Sequence, residues 1–230
     1  MPNIFFGRAK GGMMEFDEHE SEHLRVVRAE EGQKIEVTDG NGIIYKVILR
    51  SIGKKKSYGD IIEAHRVETP PKNLLKIYIG SSSWERLRFA VEKAVELGAD
   101  EIIVYKGDKS KRDYTKKRKK LEVIIRDSSK QCKRILFPKL RLSSSIKNAV
   151  EYEKARLFVL DQSGTRFEEI KLNLEESYAI VVGPETGFSE SEKEFLKKRA
   201  ILVSLGRRIL RFETAALAAL SILAFNMKKL

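Results

Sequence analysis

The apolar and polar positions follow different rhythms on either side of Thr69-Pro70-Pro71-Lys72-Asn73. Before it they alternate in short runs, Lys34–Thr38, Ile43–Leu49 and Ile61–Val67, which is the period of half-buried strands. Asp39-Gly40-Asn41-Gly42, between the first two runs, is a hairpin signal. Asp17 with Glu20 three residues on predicts a helix start with a capping box. Short strands with one helix predict a small β-barrel over residues 1–69, and the two prolines a stiff, extended connector.

After the connector, strand-like and helix-like stretches alternate, the pattern of a largely parallel sheet, so an α/β domain is expected over 74–230. Strands are predicted at Leu74–Ile79, Ile102–Tyr105, Arg156–Leu160, Tyr178–Val182 and Ile201–Leu205. The helix after the first strand puts Trp84, Leu87, Val91, Ala94 and Val95 on one face, with Gly98 as its stop. A second helix runs to about Cys132; Ser189 and Glu192 form a capping box for a third; Glu213–Lys229 is the last. Thr214–Phe225 is apolar almost all round and rich in alanine, which demands burial, either in the core or against a second copy of the chain.

Composition narrows the class. At 42% hydrophobic, the 230 residues support a real core. No apolar run reaches the roughly 18 residues of a membrane-spanning helix, and the N-terminus lacks the basic-then-apolar plan of a secretory signal. One cysteine, Cys132, excludes an internal disulfide, and with three histidines no metal-ligand cluster is expected. The expectation is a soluble, cytoplasmic protein without a metal or a membrane partner.

The net charge of +12 is unevenly placed. Residues 1–70 carry 11 basic and 12 acidic side chains, whereas Lys106–Arg134 alone carries 13 basic and 4 acidic. The stripe is either a solvated surface or a polyanion-binding one, in which Lys and Arg displace counterions from phosphates. RNA is the preferred partner.

Two segments carry the candidate chemistry, VVGPETGFSESE (181–192) and SLGRRILRFETAALAAL (204–220). Each reads as a strand entering a glycine-bearing turn and then a helix, the junction where ligands sit in open α/β folds. Neither the dinucleotide glycine fingerprint nor the triphosphate-binding glycine loop is present. His19, His23 and His65 all precede the connector, so proton transfer in the α/β part must use another group.

GPETGFSESE together with LGRRILRFETAALAAL resembles the carboxyl-terminal signature of the SPOUT methyltransferases. More narrowly, the chain is similar to the ribosomal RNA small subunit methyltransferase E family, which makes N3-methyluridine. HLRVVRAEEGQ (23–33), EKAVELGADEI (92–102) and DSSKQCKR (127–134) fit in the same order, so the resemblance covers nearly the whole chain. Thr186 departs from it, standing where the family usually has a second glycine.

The resemblance implies a PUA-like barrel for RNA, a C-terminal domain tied in a trefoil knot, S-adenosylmethionine as methyl donor and a homodimer acting on small-subunit ribosomal RNA, within the assembled subunit. On it, Val182, Gly183, Pro184, Glu185 and Gly187 form one cofactor loop and Leu205, Gly206, Ile209 and Leu210 another, with Leu160 as a third wall and Thr214 beside them. Arg211 becomes the stabiliser of charge on the uracil and Glu213 its orienting or proton-accepting group. Arg88, Lys93, Lys109, Arg112, Arg118, Arg126, Gln131 and Arg134 are the expected RNA contacts. The glycines also suit plain tight turns, Glu213 and Thr214 plain helix capping, and Lys93 plain pairing with Glu96. Two other functions stay open: ribose 2′-O methylation by a relative, whose serine–asparagine ending this chain lacks, and a non-catalytic RNA-binding or ribosome-assembly factor.

Overall fold

A computed structural model of the chain describes residues 4–230, which form two compact units. The first comprises the chain up to Pro70 and the segment Ser129–Phe137; the second comprises Pro71–Ser128 and Pro138–Leu230.

The first unit contains β1 (Ile4–Phe6), β2 (Arg8–Lys10), β3 (Met13–Phe16), β4 (Lys34–Thr38), β5 (Ile43–Ile52) and β6 (Ser57–Arg66), with one helix, α1 (Glu18–Val26), packed by one face on β3 and β5. The strand order is β1-β4-β5-β6-β3-β2, with β1 parallel to β4 and the other pairs antiparallel. The two end strands are consecutive in the chain with Gly7 alone between them, so the sheet has to curl. Alternate residues of β5, Tyr45, Val47 and Leu49, point into a core with Met14, Phe16, Leu24 and Val37. Asp17 caps α1 by accepting from Glu20 N at 2.9 Å. The expected return bond is replaced: the fully buried Glu20 accepts from Phe6 N at 3.0 Å and from Lys130 Nζ at 2.8 Å. That charge-assisted bond helps to hold 129–137 in this unit. Glu68 adds to it, accepting from the amides of Ile135 (3.1 Å) and Leu136 (2.8 Å).

The second unit contains β7 (Leu75–Gly80), α2 (Trp84–Glu96), β8 (Glu101–Tyr105), α3 (Arg118–Gln131) as far as Ser128, β9 (Lys139–Ser143), α4 (Ile146–Val150), β10 (Arg156–Arg166), β11 (Tyr178–Val182), α5 (Glu190–Lys197), β12 (Ile201–Ser204) and α6 (Phe212–Asn226). Its sheet is parallel throughout, in the order β12-β10-β11-β7-β8-β9. Strands buried on both faces read as continuous apolar runs, and all five residues of β11 are buried. Helix α6 packs on α2, β7 and β11. Opposite, Ile146, Phe188 and Leu196 pack against Tyr78, Ile103 and Val181. From β7 the chain steps to β8 and β9 on one side, then crosses to β10 on the other. The carboxyl ends of β7 and β11 therefore flank the switch point, where open α/β sheets hold ligands.

Two burial expectations change. Trp84 is only half-buried: it is the first residue of α2, whereas Leu87 and Val91 farther along the helix are fully buried. The all-apolar C-terminal helix is not wholly covered: Ile222 and Phe225 are exposed, Phe225 to 76%. Among the described residues, no helix is long and apolar enough to cross a membrane.

Candidate active site at the carboxyl edge of the parallel sheet

The segment after β11 is bound into the sheet. A Cβ at Gly80 would lie 2.5 Å from Pro184 N, so glycine alone lets the end of β7 abut this loop. Val182 is buried, and its carbonyl accepts from Tyr105 Oη at 2.9 Å; burial pushes that phenol well above its ordinary pKa. Glu185 turns towards α2, accepting from the Ser82 hydroxyl and from Ser83 N at 2.9 Å, with Arg86 Nη1 at 3.3 Å. The Ser82 hydroxyl first, then the Ser83 amide and the Arg86 charge, hold its carboxyl below the ordinary range. The Thr186 hydroxyl donates to Lys109 O at 2.6 Å, so the residue that departs from the family pattern ties the two loops together. The Ser189–Glu192 capping box forms as expected, and Glu192 also accepts from Asp108 N at 3.0 Å.

The segment after β12 is held far less. Gly206 has φ +119°, with open space where a Cβ would stand, a conformation that side chains disfavour. Ile209 is 86% exposed. Arg211 occupies the N-cap position of α6, yet no side-chain cap bond forms there. The strand expected to stop at Leu160 runs on to Arg166, and its register against β12 shifts after Leu160. With Leu160, Asp161 and Gln162 at that shift, the segment after β12 borders a cavity of about 170 Å³, lined also by Val203, Ser204, Leu205, Gly206, Arg208, Ile209, Leu210 and Ala215. The structure thus brings together Leu160, Leu205, Gly206, Ile209 and Leu210. It leaves Val182, Gly183, Pro184, Glu185, Gly187 and Thr214 off this wall; Thr214 is exposed on α6. Asp161, on the wall, is held below the ordinary carboxylate range mainly by the Ser163 hydroxyl.

A chain of charges joins the two segments. Arg86 stands between Glu185 and Glu213, with Nε 3.8 Å from Glu213 Oε2. Glu213 Oε2 is buried without a hydrogen-bond partner, an arrangement rare enough to call for a cause. Arg211 lies exposed, two residues before it.

A second cavity, of about 400 Å³, lies at the switch point. Ser81–Glu85, Lys111, Arg112, Tyr114 and Pro184–Thr186 line it. Of the expected RNA contacts, Arg112 lines this cavity, Arg88 lies in the neighbouring groove and Lys109 sits in the loop tied by Thr186. Lys93 pairs with Glu96 at 2.8 Å and Glu92 at 3.0 Å, and Arg118 with Glu122 at 3.3 Å. Arg126 is a correction: it is 7% exposed, on the packed face of α3, and cannot serve as a surface contact. Gln131 and Arg134 belong to the first unit, where Arg134 Nε donates to Leu136 O at 2.9 Å. Sequence reasoning missed Ser82, Ser83, Arg86, Tyr114 and Asp161. The serines follow a strand at the switch point and were findable; nothing in the pattern marks Arg86.

Comparison with known proteins fits this architecture. A family model described as an RNA methyltransferase domain matches residues 69–224, and one described as an RNA methyltransferase PUA domain matches 16–62. The class is an RNA methyltransferase with a PUA domain. The chain is 31% identical to the Ribosomal RNA small subunit methyltransferase E of Bacillus subtilis, over 90% of this chain and 87% of the relative. The chain belongs to the ribosomal RNA small subunit methyltransferase E family. A crystal structure of a predicted RNA methyltransferase from Thermotoga maritima is 39% identical, with a TM-score of 0.87 over 100% of both chains. A Ribosomal RNA small subunit methyltransferase E from Neisseria gonorrhoeae bound to S-adenosyl methionine, 21% identical, shares the fold with a TM-score of 0.84 over 98% of each chain.

Proposed function

We propose that the chain transfers a methyl group from S-adenosylmethionine to N3 of a uridine in small-subunit ribosomal RNA. The observation that carries the reading is the cavity between the register shift of β10 and the carboxyl end of β12, with Arg211 and Glu213 following its wall directly. Its residues suit the donor: Leu160, Leu205, Ile209 and Leu210 offer apolar surface to a flat base, Gly206 leaves room at the backbone, and Asp161 offers an acceptor to ribose hydroxyls. At about 170 Å³ it is smaller than the usual ~300–1,000 Å³ of ligand pockets, so part of the ligand extends past its lip or the 205–211 loop opens. The donor supplies an electrophilic methyl on a sulfonium.

Uridine N3 carries a proton and becomes nucleophilic only as that proton leaves. Glu213 is placed to accept it, and its buried Oε2, which faces the Arg86 charge but makes no hydrogen bond, fits a group completed by a substrate N–H. Negative charge then spreads over the flanking carbonyl oxygens, where the Arg211 guanidinium stabilises it. Arg86 holds Glu213 from behind. Gly183, Pro184, Glu185 and Gly187, with Val182, serve as the frame of the site.

Residues 1–69 act as the RNA-binding barrel and 74–230 as the catalytic domain. Arg88, Lys109 and Arg112 supply phosphate contacts within the assembled subunit. A second copy covers the exposed Ile222 and Phe225 of α6, giving a cytoplasmic homodimer. The return of α6 from the edge strand β12 onto the central β7 and β11 supports the trefoil knot that the resemblance implies.

Incubation with labelled S-adenosylmethionine and small subunits lacking native methylation, followed by nucleoside identification by mass spectrometry, tests the reading. N3-methyluridine is expected. A ribose 2′-O-methyl nucleoside would move the chain to the neighbouring branch; no label and no cofactor binding would leave an RNA-binding factor.

A further inference from the structure

Trp84 is the only tryptophan in the chain, and it stands where two cavities meet. It lines the 400 Å³ cavity at the switch point and also a groove of about 410 Å³ between α2 and α3. Apolar Val123 and Ile124 line the groove. Tyr114 packs on the indole with ring centroids 5.3 Å apart, and Lys120 Nζ lies 5.7 Å from the indole centroid.

We infer that this two-lobed groove is a stacking site for unpaired bases of an RNA strand, with Trp84 as the platform. The inference rests on the reading of the chain as an enzyme acting on RNA, and adds a single-strand subsite apart from the cavity assigned to the methyl donor. Charge argues for the occupant. Lys106–Lys120 contains nine basic residues and two acidic ones. Five basic side chains line the lobes: Lys111 and Arg112 in one, Arg88, Lys119 and Lys120 in the other. The neighbouring carboxylates are mostly engaged: Glu185 with Ser82 and Arg86, Glu92 with Lys93 at 3.0 Å, and Asp127 with Arg126 at 3.9 Å. Glu85 and Glu185 both lie exposed at the rim, Glu185 already bonded to Ser82 and Ser83. A cationic rim around an aromatic platform is how single strands are held, backbone on the charges and bases on the ring. A paired helix cannot use it, because its bases are not free to stack.

The indole makes the test direct. The full-length protein is titrated with a short single-stranded oligouridylate and with a duplex RNA while tryptophan emission is followed. Saturable quenching by the single strand, weakening as salt rises, is expected, with little by the duplex. Binding of a fluorescently labelled oligouridylate by anisotropy should weaken about five- to hundred-fold in Trp84→Ala and be largely kept in Trp84→Phe. Lys120→Ala, which removes no core contact, should lower affinity and flatten the salt slope by about one unit. Absence of quenching, or unchanged affinity in Trp84→Ala and Lys120→Ala, overturns the inference. Methyl transfer by the same wild-type preparation separates the two ideas: transfer without quenching sinks the groove alone, and quenching without transfer sinks the catalytic reading while the groove stands.

Discussion

The turns after β11 and β12 look alike in sequence, each a strand running through glycine into a helix, yet they are built to opposite ends. The 183–189 turn is tied on every side: Glu185 to Ser82 and Ser83, Thr186 to Lys109, Ser189 to Glu192. The 205–211 turn has a weak internal bond from Gly206 N to Ser204 Oγ at 3.3 Å, an exposed Ile209 and an N-cap without a side-chain partner. Many local bonds raise the free energy of local opening, and few lower it. On the proposed reading the tethered turn is the frame, and the loose one is the part free to close over the methyl donor. Arg211 and Glu213 sit where the loose turn becomes a helix, so closing the loop also positions the groups assigned to the chemistry.

The largest effect should come from the loose side. Arg211→Ala should lower methyl transfer by about 10²–10³-fold or more, with donor affinity by calorimetry nearly unchanged; a large affinity loss would make Arg211 a donor ligand instead. Next comes Gly206→Val. A β-branched residue at φ +119° carries about 1–3 kcal/mol of strain, so donor affinity should fall at least about ten-fold while the circular dichroism spectrum stays native. Full affinity in this variant would break the assignment of the loop.

On the tethered side the effects should be smaller and fall on stability. Thr186→Gly removes one hydrogen bond, worth about 1 kcal/mol, which is about 2–4 °C in Tm for a chain of this size. Hydrogen exchange at 106–112 should quicken, while turnover with saturating RNA holds. A large loss of turnover with an unchanged Tm would put Thr186 in the chemistry. Smallest is a pH effect. The folded pKa of Glu185 lies below its unfolded value, near 4.3 for a free glutamate. Its contribution is therefore complete above about pH 4.3 and is lost as pH falls through the folded value. The Tm gap between wild type and Glu185→Gln should be flat from neutral pH to about pH 5 and shrink below; a gap widening on acidification would contradict the sign.

Much of the frame is legible from pattern. Tyr178–Val182 reads as a strand because both of its faces are covered, and Ser189–Glu192 as a cap because the reciprocal bonds need those residues at that spacing. β2 and β9 escape notice because neither has a fully buried residue and so neither shows an apolar run, and β1 and β3 because three and four residues give too few alternations to set a period. The return of 129–137 to the first unit is equally invisible: α3 carries one helical pattern across the boundary, and the buried Glu20 that receives Lys130 stands 110 residues away. Trp84 shares the helical spacing of Leu87 and Val91, but spacing cannot show that the first residue of α2 faces two cavities instead of the core. The turn after β12 is legible as a motif, whereas its looseness lies in bonds it does not make.

The most direct test of this account is hydrogen exchange of the backbone amides in 183–189 and 205–211, with and without saturating S-adenosylmethionine. The account predicts that 205–211 exchanges fast in the free protein and becomes protected on binding, while 183–189 is slow in both states. Fast exchange at 183–189 in the free protein, or no change at 205–211 with donor bound, would contradict it.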